Sequence, residues 1–235
     1  MSTFDDLSLS LEGFSGKARL FPLPNLVLFP HVMQPLHIFE PRYRDLLEDA
    51  LAGDRLMAMA VLTPGWETNY EGRPTLHSMA CLGRITTHFR LADGTYNVLL
   101  LGLRRVKIVW ELKPVRRFRE AEVELCEDRY AACPLAYPKA LQQDLHNALL
   151  RILPMLPEAK EQLDQLLEND VPLGVLTDVI SYMLDIDLAR KQSLLSEVDV
   201  YRRTELLLAH LSEAAAEFTA SQTSAVCFPP EFSMN

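Results

Sequence analysis

No apolar run in the chain approaches the ~18 residues that a bilayer-spanning helix needs. The opening MSTFDDLSLSLEGFSG carries acids where a secretion signal would carry positive charge, and it has no long apolar core. A cytoplasmic address and no membrane partner are therefore expected. The four cysteines, Cys81, Cys126, Cys133 and Cys227, form no CxxC pair, which favours buried or idle thiols over disulfides or a zinc site. The six histidines contain no HExxH, and His37 and Glu40 straddle an expected strand-to-helix junction, so no metal is expected. There is no GxSxG elbow, no GxxxxGK[ST] phosphate loop and no cysteine in a recognisable catalytic setting. These gaps argue against an enzyme and against a cofactor. Positive charge is scarce too: 23 Lys and Arg against 32 Asp and Glu give a net charge of −9, which disfavours nucleic acid as the main partner.

What is present is an ordinary globular mixture, 49% hydrophobic and 23% charged over 235 residues, enough to bury a real core. The stretch from Arg19 to Asp54 organises the rest. Leu20 to Leu23, Leu26 to Phe29 and Val32 to Phe39 read as three short strands. Pro24, Pro30 and Pro35 among them mark edges, bulges or strand ends, because proline cannot donate to a ladder. Pro41 suits a first helical position, Tyr43, Leu46, Leu47, Ala50 and Leu51 recur at helical spacing, and Gly53 is the expected stop.

The run FPLPNLVLFPHVMQPLHIFEPRYRDLLEDAL resembles the opening of the Lon N-terminal domain family, the substrate-binding part of the Lon protease. Two further segments resemble the same family: ADGTYNVLLLGLRRVKI, with a Gly-x-x-Arg-x-x-Ile step on Gly102, Arg105 and Ile108, and MLDIDLARKQSLLSEVDVYRRTELLLAHL near the end. The likeness spans about residues 19–217. It implies a PUA-like mixed β-barrel and a role in recognising polypeptide substrates. Neither the ATPase nor the protease motifs of Lon are visible, so the expectation is the recognition part standing alone.

The remaining elements follow from pattern. Leu56 to Leu62 is a buried strand, and residues 63–78 are a turn-rich excursion. Two strands from Met79 meet at a hairpin set by Asp93-Gly94, and Gly102 marks a bend where a strand changes partner. From Arg119, Ala121, Val123 and Leu125 alternate with Glu120, Glu122 and Glu124, a half-buried strand with an acidic outer face. Beyond about residue 127 the pattern turns helical. One stripe runs through Leu141, Leu145, Ala148, Leu149 and Ile152, a second through Leu163, Leu166 and Leu167, and a third, opened by Pro172, from Leu173 to Leu184. Asp187 and Asp199 are placed as N-caps of two more helices. The expected fold is α+β: a leader at 1–18, a β-rich PUA-like domain at 19–128, a C-terminal α-helical bundle at 129–218 and a disordered tail at 219–235.

Two constellations bear on function. The first is the apolar, proline-bearing opening, whose edge strands offer a template for an extended peptide, with Leu28, Phe29, Leu36 and Phe39 as groove candidates. The competing reading makes each of them core, with Phe39 stapled onto the following helix. The second is the basic run Arg104, Arg105, Lys107, Lys113, Arg116, Arg117 and Arg119. Its alternative reading is an anion or RNA surface centred on Arg104, Arg105, Arg116 and Arg117; the favoured one is a solvated strand face paired with the glutamates that follow. The reading is a non-enzymatic module that binds unfolded or apolar polypeptide segments, an adaptor in protein quality control with a protease or other protein as partner. The alternative is RNA binding.

Overall fold

The computed structural model describes residues 11, 13–70, 72–134, 136–152 and 171–224. Six strands form one mixed sheet: β1 (Lys17–Leu23), β2 (Met33–Ile38), β3 (Leu56–Val61), β4 (Met79–Arg90), β5 (Tyr96–Glu111) and β6 (Arg119–Cys126). Their order is β2-β5-β4-β3-β1-β6, and β6 also pairs β5, so five strands close a circuit and β2 is appended to it. Only β1 and β3 run parallel; every other pairing is antiparallel. The fold class is α+β, as the sequence pattern implies.

β5 makes the closure because its sixteen residues serve two partners along one edge. Residues 96–101 pair with β2 and residues 105–111 with β6. The hand-over falls at Gly102, whose N–H donates to the Val32 carbonyl and whose carbonyl accepts from the His31 N–H, both at 2.8 Å. A Cβ at this position would overlap the Phe29 carbonyl, so only glycine admits the 24–32 segment this close. The β4–β5 hairpin turns through residues 92–94, with Gly94 at φ 82°, and its tight loop fixes the register of both strands.

The helix α1 (Pro41–Ala52) begins on Pro41 and buries Tyr43, Leu46, Leu47 and Ala50, one face at 3.6-residue spacing. Helices α2 (Tyr137–Ile152), α3 (Leu173–Met183), α4 (Leu188–Ser196) and α5 (Val200–Ser224) follow the sheet. α5 packs on α2 and α3, and α4 lies on β4. Asp187 caps α4 by accepting from the Arg190 N–H at 2.8 Å, and Asp199 accepts from Tyr201 N–H at 3.1 Å to open α5.

Several expectations change. Leu26 to Phe29 is not a strand: prolines bound it, and Val27, Leu28 and Phe29 enter the core as an irregular segment. The chain is ordered into the sheet from Lys17, and Leu11 and Phe14 already pack against the core, so a leader through residue 18 is too long. α5 reaches Ser224, so residues 219–224 are helical; residues 225–235 and the expected stripe on Leu163, Leu166 and Leu167 lie outside the described residues.

The larger hydrophobic cluster crosses the boundary drawn near residue 128. It joins Phe21, Phe29 and Leu47 of the β-rich part with Leu145, Leu176, Leu194 and Leu207 of the helices. A buried ionic knot spans the same junction. Arg105 on β5 makes a bidentate pair with Asp178 on α3, at 2.8 and 2.5 Å, and donates through Nε to the Leu195 carbonyl of α4 at 2.9 Å. Arg203 on α5 holds Asp128 at 2.7 and 3.1 Å and lies 3.3 Å from Asp178. The Gly-x-x-Arg-x-x-Ile step thus has two structural jobs: Gly102 hands over the edge and Arg105 ties the sheet to α3 and α4.

Candidate functional site

β2 ends the sheet, and among the described residues no strand lies beyond it. Backbone direction alternates along a strand. Because the Val32 carbonyl faces β5, the backbone groups of Gln34, Leu36 and Ile38 also face β5, while those of Met33, Pro35 and His37 point to the open side. Pro35 sits on that side, where its missing N–H breaks no ladder bond. One point of the edge is covered: the Gln34 amide donates to the Pro35 carbonyl at 2.8 Å and accepts from the Tyr182 hydroxyl of α3 at 2.9 Å.

The same alternation sorts side chains between two faces. Ile38, Val98 and Leu100 point into the core. Met33, Pro35 and His37 point out, beside Leu101, Leu99 and Asn97 of β5. The hairpin register brings Phe89 of β4 opposite Asn97, extending that outer face by a third strand. Phe89 is 66% exposed, Phe39 61% and Met33 42%. The Phe39 ring stacks on His37 at 6.1 Å, and His37 Nδ1 lies 2.9 Å from Asn97 Oδ1. The result is an apolar face beside an open strand edge, with Met33, Pro35, Phe89 and Phe39 exposed, Leu99 half-buried among them and Leu101 half-buried against the smaller core cluster. Such a pair can add an extended chain through main-chain bonds and receive alternate side chains of that chain.

The sequence-derived candidates divide. Leu28 and Phe29 are fully buried in the core and offer no surface here. Leu36 is half-buried and packs inward, on the opposite face from Met33 and Pro35. Phe39 is at the surface and is not stapled onto α1; its neighbour is His37. Met33, Phe89, Leu99 and Leu101 were missed. The signal for them was the Asp93-Gly94 hairpin, whose loop places Phe89 opposite Asn97, combined with period-two alternation from Pro35.

The basic run is dispersed. Arg105 is buried in the ionic knot, and Arg104 is half-buried with its guanidinium on the Leu103 carbonyl at 3.0 Å. Arg119 makes a two-bonded pair with Glu111 and donates to the Pro74 carbonyl. Arg116 pairs with Asp49, and Arg117 lies 3.7 Å from Asp45, both acids on α1. Only the Arg116–Glu120 pair, at 3.8 Å, joins this run to the expected glutamates of β6. The Asp49 carboxyl is opposed by burial, yet hydrogen bonds from Arg19 and Arg116 hold it below the usual carboxylate range.

Among the described residues no group of three or more His, Cys, Asp or Glu is placed to hold a metal, and no helix is long and apolar enough to cross a membrane. Cys81 is buried, and burial pushes its thiol well above the ordinary range, away from nucleophilic use.

The family model for the ATP-dependent protease La (LON) substrate-binding domain matches residues 17–213. The chain is 26% identical over 189 residues to Lon protease 2 of Myxococcus xanthus, covering 80% of this chain and 22% of that protein. It is 31% identical over 191 residues to the Lon protease of Xanthomonas oryzae pv. oryzae, again 80% against 22%. It thus spans under a quarter of the length of these two relatives. Among solved structures, the Lon N-terminal domain protein from Xanthomonas campestris superposes with a TM-score of 0.59 at 24% identity, over 82% of this chain and 97% of that one. The N-terminal domain of the Mycobacterium avium complex Lon protease gives 0.64 at 19% identity, over 83% and 98%.

Proposed function

The chain belongs to the Lon substrate-binding domain family, and on that premise we propose that it captures extended, apolar segments of other polypeptides at the β2 edge and the outer face of β2, β5 and β4. The observation that carries this reading is the pairing of an open edge with exposed Met33, Phe39 and Phe89. The edge supplies sequence-independent main-chain bonds, and the face rewards apolar side chains, which suits a module that meets many unfolded clients. The five-strand circuit is read as the PUA-like barrel, with β2 as its added recognition strand. The module acts without catalysis of its own, as an adaptor that delivers clients to a protease or other protein partner.

RNA binding is the weaker reading. A polyanion needs a run of uncommitted cations along one surface, whereas Arg105 is buried and Arg116 and Arg119 are already paired with carboxylates.

Hydrogen exchange in the presence of reduced lactalbumin tests the edge. Capture by strand addition slows exchange of the outward-facing amides of Met33 and His37 and leaves the amides of α2 unchanged. Protection confined to the helices would place the site elsewhere.

A further inference from the structure

A second concavity lies away from the β2 edge, between Leu62, Tyr70 and residues 72–74 on one side and the start of α1 and residues 114–119 on the other, with a volume of about 290 Å³. Leu62, Tyr70, Pro74 and Phe118 give it an apolar, partly aromatic lining, and five arginines, Arg42, Arg73, Arg116, Arg117 and Arg119, supply its charge. Among the described residues no acidic side chain lines it. Four of these guanidiniums are already engaged by carboxylates outside the cavity. Arg42 is 2.9 Å from Glu40, Arg119 is 2.5 Å from Glu111, Arg117 is 3.7 Å from Asp45, and Arg116 pairs with Asp49. Arg73 differs. It donates to the Leu112 carbonyl at 3.4 Å, and among the described residues no carboxylate pairs with it.

The wall is also organised. The Arg42 guanidinium lies over the rings of Tyr43 and Tyr70, at 4.7 and 4.8 Å, and the Tyr70 hydroxyl donates to Glu40 at 2.8 Å. The loop is thereby fastened to the head of α1 and presents Tyr70 and Arg73 together. We propose that this cavity binds one carboxylate carried on an apolar or aromatic body, the chemistry of a polypeptide's free C-terminal residue or of a small aromatic acid. The guanidinium of Arg73, which has no carboxylate partner among the described residues, answers one negative charge, and its planar fork suits a carboxylate. The volume sits at the small end of ligand sites, room for a single side chain and its carboxylate rather than for a polymer. The apolar lining takes the body of the ligand. This site is independent of the β2 edge and stands or falls without it.

The probes are N-acetyl-phenylalanine and its amide, titrated into the ¹⁵N-labelled full chain. The acid is expected to shift the amides of Leu62, Tyr70 and Phe118 and to bind at least tenfold more tightly than the amide. Arg73→Gln, at an exposed position, reduces the acid to the level of the amide while leaving the rest of the spectrum in place, and Arg73→Lys keeps part of the preference. A pentapeptide ending in phenylalanine distinguishes the sources: tighter binding than the single residue points to chain termini, and equal binding points to small acids. Equal affinity for acid and amide, an acid preference that survives Arg73→Gln, or shifts confined to the β2 face would overturn the assignment.

Discussion

Replacing Asp178 by alanine removes the carboxylate at the centre of the ionic knot and leaves Arg105 without its bidentate partner. Both side chains are out of solvent, at 1% and 0% exposure, and Arg203 beside them is at 0%. Asp128 offers limited relief, since it is 3.4 Å from Arg105 and already committed to Arg203. Removing one partner of a buried pair costs about 3–5 kcal/mol, because the other charge is stranded. At about 2–4 °C per kcal/mol for a chain of this size, the melting temperature falls by roughly 6–20 °C. The mechanism makes a second demand. Arg105→Met combined with Asp178→Ala leaves the Arg203–Asp128 pair balanced, so the double variant should recover about 1 kcal/mol or more over Asp178→Ala alone. Urea unfolding followed by circular dichroism and tryptophan fluorescence measures both. A loss under about 1 kcal/mol for Asp178→Ala, or a double variant weaker than the single, would refute the reasoning.

Gly102→Ala drives a methyl into the Phe29 carbonyl and should cost about 3 kcal/mol, read as a lower urea midpoint. His31 is held neutral, its pKa lowered below 6.5 chiefly by burial, with the carboxylates of Asp178 and Asp128 opposing. As pH falls through about 6.5 the unfolded chain takes up a proton that the folded chain resists, so stability declines until the folded pKa is passed. His31→Asn, which tolerates the positive φ of 66° at this site, should show a smaller stability difference between pH 7.5 and 5.5 than the parent. A fragment of residues 19–128 loses Leu145, Leu176 and Leu207 from the shared core and the partner of Arg105, and should unfold at markedly lower denaturant than the full chain.

Local chemistry made much of the fold legible. Pro41, Asp187 and Asp199 announced helix starts because each acts on its own first turn, and Asp93-Gly94 announced the hairpin for the same reason. Gly102 was readable as a change of strand partner, though the clash that requires it comes from Phe29, remote in sequence. Leu26 to Phe29 was misread because a short apolar run looks the same whether it joins a ladder or fills a core. At the candidate site the sequence pointed to the right strand and the wrong face. Leu36 and Met33 are both apolar, and which of them faces the core is shown by their burial, Leu36 packing on the larger cluster and Met33 standing exposed. The basic run misled in a similar way, since the acids that absorb it, Asp45, Asp49 and Asp178, lie on helices far along the chain.

The central claim, that clients dock on the outer face beside β2, is tested most directly by Phe39→Ser combined with Phe89→Ser. Both side chains are exposed, at 61% and 66%, so the fold should survive their loss. Burying a phenylalanine is worth about 1.5–3 kcal/mol, so the pair should weaken binding of reduced lactalbumin at least tenfold, tenfold being about 1.4 kcal/mol. Trp110→Ser, which removes an exposed aromatic at the far end of β5, should leave binding unchanged. Undiminished binding by the double variant, or a loss that follows Trp110 instead, would contradict the account.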